Sequence, residues 1–385
     1  MNKSELYLVK AMACAVKGVE TPPPEEKIDL IPFFKKAVEH KIENIIYKEI
    51  LRNKDWFYNS EEIFEKWKQI NLFSSVSLIK LDATVKAVCE EFEKHKVNLV
   101  LLKGAVIKNL YPEMTMRTMG DTDIILKEEE FEKAKEIFES FSYETNADIH
   151  GNPVFLKEKN YKFEAFFELS TIDNVWKKVD NIKGKDFIYT LNTEMFMYHL
   201  VTHLAKHVKY KGAGIRNLCD IYLFMKNNKI NYEIVKNELE KKGLTTFFET
   251  LVKLIELVFD YKDEKLKSDA LKEDAHKLLS FMLRYGVYGA QSENNVFVNS
   301  QIKKSITLRE KIIIVFGKFF PGSKKLSDKY MYAKKCVLLL PFAWIHRLFD
   351  KRFIDKKTLK DTAGEMKKAN EIMDLQADMI KKFKL

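Results

Sequence analysis

Around Asn98 the hydrophobic pattern of this chain changes its period, and that change constrains the fold more than any other feature. From Ser60 to about His95, residues such as Phe64, Trp67, Ile70, Phe73, Val76, Ile79, Leu81, Val85, Val88 and Phe92 recur mostly at three- or four-residue spacing, which predicts one long helix. Past Asn98 the pattern shortens: Leu99 to Leu102 read as an apolar strand, Lys103-Gly104 as a sharp turn, and Ala105 to Leu110 as a short helix. A second strand ends on Ile124 to Leu126 and opens on Asp121 and Asp123. Side chains on a strand repeat every two residues, so both carboxylates would point to one side. A shared divalent cation explains why two like charges would be held so close.

Lys127-Glu-Glu-Glu starts the next helix, its acids suited to a helix N-terminus, and Phe131, Ala134, Ile137 and Phe138 give it an apolar face. Strands are expected at 142 to 149, 152 to 158 and 160 to 169, broken by Gly151-Asn-Pro and Lys159-Asn. In the last of them Glu164 sits between Phe163 and Ala165, so alternation puts its carboxylate opposite both. Glu168 has the same parity; a water-facing edge charge is the bland account of either acid.

The surrounding chain reads as helical. Residues 4 to 18 carry an imperfect apolar stripe, an acidic proline-rich break follows, and helices resume from Pro32. After a linker around Asp180 to Asp186, helices are expected at 194 to 210, 215 to 225, 231 to 242, 244 to 259, 268 to 286 and 303 to 320, with a charged terminal helix over 354 to 385. The expected fold class is α+β, a small mixed-sheet core embedded in a predominantly helical protein. The expected division is an N-terminal helical region at 1–96, an α/β core at 97–185, a helical substrate or support domain at 186–300 and a basic helical region at 301–385.

Charge separates those regions. Residues 301 to 385 hold 21 Lys+Arg against 9 Asp+Glu, so the net charge of +10 belongs to this part, and the first 300 residues, with 45 against 47, are nearly neutral. The tail mixes aromatic and aliphatic residues with Lys334, Lys335, Arg347, Lys351 and Arg352. That suits a core-packed helix with a solvated basic face, or contact with an anionic membrane surface. Cys14, Cys89, Cys219 and Cys336 are too scattered for a disulfide framework, the N-terminus lacks a signal-peptide pattern, and no run approaches the roughly 18 apolar residues of a spanning helix. A cytoplasmic location is expected, with peripheral contact at the inner membrane surface as an option for the tail.

Lys103-Gly104, Leu110-Tyr111, Arg117, Asp121-x-Asp123, Glu164, His199 and His203, then Arg216 and Leu218-Cys-Asp220, form a series. Over about residues 95 to 225 it resembles the polymerase-beta-like nucleotidyltransferase superfamily, specifically the bacterial and archaeal proteins described as uncharacterised nucleotidyltransferases. The resemblance implies metal-dependent transfer of a nucleoside monophosphate from an NTP, with ATP the first candidate, to a hydroxyl on a small molecule, a sugar-related compound or a protein. Asp121, Asp123 and Glu164 would be the catalytic and Mg²⁺-binding acids, serving as many as two ions, and Glu164 could also act as base toward the acceptor. Lys103, Gly104 and Arg117 would bind the nucleotide: charge from Lys103, close approach and backbone N–H groups from Gly104, phosphate or carboxylate contact from Arg117. Two departures stand out: Phe166 occupies the place where many relatives have histidine, and Lys-Gly replaces the Gly-Ser turn of other superfamily members.

Other readings compete. A protein that has kept the fold but lost transfer is one; an RNA-directed transferase, suggested by the basic C-terminal part, is another, although no zinc finger, RNP motif or glycine/arginine-rich tract occurs. Neither the glycine pattern of protein kinases nor that of P-loop ATPases is present. His199, His203 and His207 share a helix face, but no cysteine or acid lies at a convincing interval for zinc. The spacing of Arg216 and Asp220 predicts an ion pair within one helix.

Overall fold

In the computed structural model, residues 1–286 are described except 149–150, 158–160, 211, 264–265, 267 and 269, together with 339–340, 342–344, 377–383 and 385. The helix expected over 303 to 320, most of the aromatic and basic tail and most of the terminal helix lie outside the described residues. The chain divides into one unit of Met1–Gln291 with Met379–Leu385 and a second of Ser292–Asp378. Within the second, Leu340, Ala343 and Trp344 pack together.

The first unit begins with helix α1 (Lys3–Lys17), capped at its N-terminus by the reciprocal Asn2–Glu5 hydrogen bonds and ended by Gly18 in the left-handed region. A two-residue strand β1 (Ile28–Asp29) leads to α2 (Leu30–Glu39) and α3 (Glu43–Arg52), and β1 pairs in parallel with β2 (Phe57–Tyr58). The long helix α4 (Glu61–Lys94) follows, as the periodicity predicts. Only its second half is core along the whole stripe: Leu81, Val85, Val88, Cys89 and Phe92 are buried, whereas Leu72, Phe73, Val76 and Ile79 are exposed.

The change of period at Asn98 marks entry into a seven-stranded mixed sheet. Its strands are β3 (Leu99–Leu101), β4 (Thr122–Leu126), β5 (Glu144–Ala147), β6 (Pro153–Lys157), β7 (Tyr161–Phe166), β8 (Val179–Asn181) and β9 (Ile188–Leu191), in the order β5-β6-β7-β4-β3-β9-β8. Two short connections, helix α5 (Gly104–Ile107) and the loop beyond it, lie between β3 and β4; α6 (Phe131–Ser140) lies between β4 and β5. β3 runs antiparallel to β4 and parallel to β9, while β4 runs parallel to β7. The α+β architecture inferred from the sequence is the one observed.

Alternation sorts the sheet into two faces. Leu99, Leu101, Ile124, Leu126, Phe163 and Ala165 join one core with α4 and α6, where the Phe138 and Phe155 rings stack with centroids 3.9 Å apart. The intervening positions, including Asp123 and Glu164, turn to the other face. Helices α7 (Thr193–Tyr210), α8 (Arg216–Asn227), α9 (Tyr232–Glu240), α10 (Thr245–Phe259) and α11 (Lys272–Tyr285) follow the sheet. A buried ion pair, Lys108 to Asp82 at 2.6 Å, ties the chain just after α5 to α4.

Candidate functional site

The site is assembled by strand register. β4 and β7 are adjacent and parallel, with Asp123 directly opposite Glu164, so these side chains stand together on the same face. Asp121 precedes the first residue of β4 and shares the parity of Asp123. Its carboxylic acid is pushed above the ordinary aspartate value, first by partial desolvation against the surrounding protein, then by the negative charges of Asp123 and Glu164; Lys103 and Lys162 oppose this. The residue still reaches solvent. Glu168, the alternative third acid, is exposed beyond the end of β7 and is not part of this row.

Lysines partly neutralise the acids. Lys103 Nζ lies 3.0 Å from Asp123 Oδ2. Lys162, which the sequence analysis passed over, donates from Nζ to Glu164 Oε1. Its place was readable: it lies two residues before Glu164, hence on the same face of β7. The hydrogen bond to Glu164 is the main cause that raises the Lys162 pKa, with desolvation opposing it.

The Lys-Gly turn is unusual. Lys103 has φ +39°, a region that side chains rarely occupy, and the Leu102 N–H donates to the Asp123 carbonyl at 3.1 Å, so turn and acid strand are fastened together. Helix α5 has only four residues, and the amides of Ala105, Val106 and Ile107 donate to the carbonyls of Leu102 and Lys103. The amides expected to cradle phosphate are thus largely spoken for. Gly104 has a packing reason to be glycine: a Cβ there would meet Arg117 Nη1 at 2.5 Å and Met119 Sδ at 2.9 Å.

Arg117 itself is buried and does not face an open phosphate position. Its Nε and Nη2 donate to the two oxygens of Asp220, each at 2.8 Å, and the Tyr111 hydroxyl donates to Asp220 Oδ1 at 2.7 Å. Desolvation favours the neutral acid, but the Arg117 guanidinium, with Arg216 and the Tyr111 hydroxyl, offsets it and holds Asp220 below the ordinary range. The intrahelical Arg216–Asp220 pair therefore gives way to a pair made across the fold. Arg216 donates instead to the Thr118 carbonyl at 2.9 Å, so α8 braces the approach to Asp121 at two points.

The histidine row of α7 comes next to this face. His199 is buried, neither ring nitrogen has a partner among the described residues, and its pKa is lowered to about 3, by burial first and by Lys103 second, with Asp123 opposing. His203 and His207 bring their Nε2 atoms to 3.0 Å. His199 is thus a neutral imidazole near the Lys103–Asp123 pair.

Asp121, Asp123 and Glu164 offer hard oxygen donors of the kind Mg²⁺ takes. Among the described residues no group of three His, Cys, Asp or Glu side chains forms a ready cage, and Mg²⁺ does not require one, because it keeps waters and substrate phosphates in its shell. Burial raises Asp121 most, and the repulsion from Asp123 and Glu164 that adds to it is what a bound cation would relieve.

Residues 26–260 match the family model described as uncharacterised nucleotidyltransferase. The chain belongs to that family. No protein with curated annotation matches it. Among solved structures, the antibiotic-resistance factor ANT(2'')-Ia is similar at 10% identity and a TM-score of 0.34, over 43% of this chain and 92% of that one. A nucleotidyltransferase-like antigenic protein from Paracoccidioides brasiliensis is similar at 13% identity and a TM-score of 0.30, over 42% and 86%. Both superpositions are loose and neither bears on the chemistry of this chain. Among the described residues no helix is long and apolar enough to cross a membrane.

Proposed function

We propose that this nucleotidyltransferase transfers a nucleoside monophosphate from an NTP, ATP being the first candidate, to a hydroxyl of a small molecule, a sugar-related compound or a protein. The observation that carries the proposal is the register that sets Asp123 beside Glu164, with Asp121 two residues up the chain and its acid raised first by burial and then by their charges. Asp121, Asp123 and Glu164 would hold Mg²⁺, which when bound supplies a Lewis acid for the phosphate oxygens. Lys103, fixed at the strained turn, stabilises negative charge on the nucleotide. Glu164 Oε accepts the proton of the acceptor hydroxyl; the acceptor oxygen then forms its bond to the α-phosphorus as the bond from that phosphorus to the bridging oxygen breaks and pyrophosphate leaves. Arg117 acts through Gly104 and Asp220 as a positioning residue, not as a phosphate ligand.

The test is incubation of the full chain with each α-labelled NTP and Mg²⁺ in cell extract, followed by identification of the species that gains NMP. Transfer should fall about a thousandfold or more in the D121N/D123N variant, equivalent to roughly 4 kcal/mol of transition-state stabilisation. Undiminished labelling by that variant would remove the aspartates from the mechanism, and retained transfer in Glu164→Gln would remove Glu164. No labelled product in any extract would favour a protein that keeps the fold without transfer.

A further inference from the structure

β7 brings a second ionic group to the acid face. Lys162 and Glu164 share strand parity, and the Lys162 ammonium donates to Glu164 Oε1. Lys103 makes the matching contact with Asp123 at 3.0 Å. Two of the three acids therefore carry an internal cation each, while Asp121 has no ion-pair partner among the described residues.

The two lysines differ in freedom. The Lys103 side chain is 20% exposed and starts from a turn whose backbone is strained and bonded to β4, whereas Lys162 is 36% exposed on a regular strand. A lysine ammonium on a four-carbon stem can be re-aimed by rotation about side-chain bonds alone. Lys162 can therefore leave Glu164 with no change in the sheet.

A divalent cation at Glu164 competes for the oxygen that the ammonium holds and repels the ammonium as well. The displaced charge is then on the face where a polyanionic triphosphate would lie, and an ammonium to phosphate contact is among the stronger hydrogen bonds. We propose that Lys162 is a nucleotide-phosphate ligand kept on Glu164 until a divalent cation displaces it. This assignment rests on the nucleotidyltransfer reading and adds a residue to it.

The assignment demands opposite changes in two affinities. Using the full chain, Mn²⁺ binding is measured first alone, by electron paramagnetic resonance; binding of the α,β-methylene analogues of the four NTPs is then measured by calorimetry at saturating Mn²⁺. Lys162→Met keeps the length of the stem and removes the charge. It should tighten Mn²⁺ binding alone several-fold, because nothing competes for Glu164, and weaken the bound analogue roughly tenfold, the lower range for a charged hydrogen bond. Lys162→Arg should retain most of the analogue affinity. Changes of both affinities in the same direction, as from a general structural lesion, would overturn the assignment. So would no change in either while D123N loses Mn²⁺, in which case the metal site stands and only Lys162 is wrong. If D123N binds Mn²⁺ like the wild type, the metal site is misplaced and the proposal falls with it.

Discussion

Arg117 and Asp121 are four residues apart, yet they belong to ionic clusters built in opposite ways. Around Arg117 the charges are closed off: a two-point contact with Asp220, a third bond from Tyr111, burial of all three, and an acid held firmly ionised by its partner. Around Asp121 they are left open. Three acids crowd one face, two lysines neutralise part of the charge, and the third acid is strained upward in pKa. The closed cluster is paired within itself and packs against Gly104 of the Lys-Gly turn. The open one has unspent charge, and that is what a metal and a nucleotide would use.

The closed cluster is most exposed to mutation at Asp220. Asp220→Ala strands a buried guanidinium and should cost about 3–5 kcal/mol of stability in urea unfolding, whereas a paired R117M/D220L replacement should recover much of it. A loss below about 1 kcal/mol would mean the cluster is not closed. Gly104→Ala comes next. Its Cβ would press on a guanidinium that Asp220 pins, so a cost of about 1–3 kcal/mol is expected, shrinking in an R117M background where the obstruction is gone. An equal cost in both backgrounds would separate Gly104 from Arg117.

The smallest effect sharpens the open side. The folded-state pKa of Asp121 lies above its ordinary value of 3.8, so its contribution to stability is full below that value and is lost as pH rises through the folded pKa. Asp121→Asn escapes that loss. It should raise Tm by about 1–2 °C at pH 7, a gain that fades as pH falls below the ordinary aspartate range. A gain that persists unchanged at low pH would trace the effect to something other than charge.

Much of this was legible in the sequence because periodicity is local. The shift at Asn98, the long helix α4, the Asp-x-Asp parity and the side of β7 on which Glu164 stands all follow from spacing along one element. What spacing could not give is who meets whom across the fold. Arg216 and Asp220 have the right interval for an ion pair, but Asp220 also faces Arg117 and Tyr111 from a distant loop, and two-point guanidinium contact in a buried setting wins. The packing at Gly104 was hidden for the same reason: the guanidinium that excludes its Cβ comes from Arg117, thirteen residues on. Phe73, Val76 and Ile79 lie on the apolar stripe of α4 yet are exposed, so periodicity reports a face without reporting whether the described fold covers it. Lys162 is readable by its parity with Glu164 along β7.

The register of β4 against β7 has one further consequence. Phe163 and Ala165, on either side of Glu164, are wholly buried in the core that α4 and α6 share. A slip of one residue in β7 would drive Glu164 into that core and push both neighbours out, at a cost no surface contact could offset. The chain therefore proofreads its own acid row: a molecule in which the sheet has closed correctly is one in which the carboxylates already stand side by side. Errors in the site are discarded as errors in folding, before any ligand has arrived.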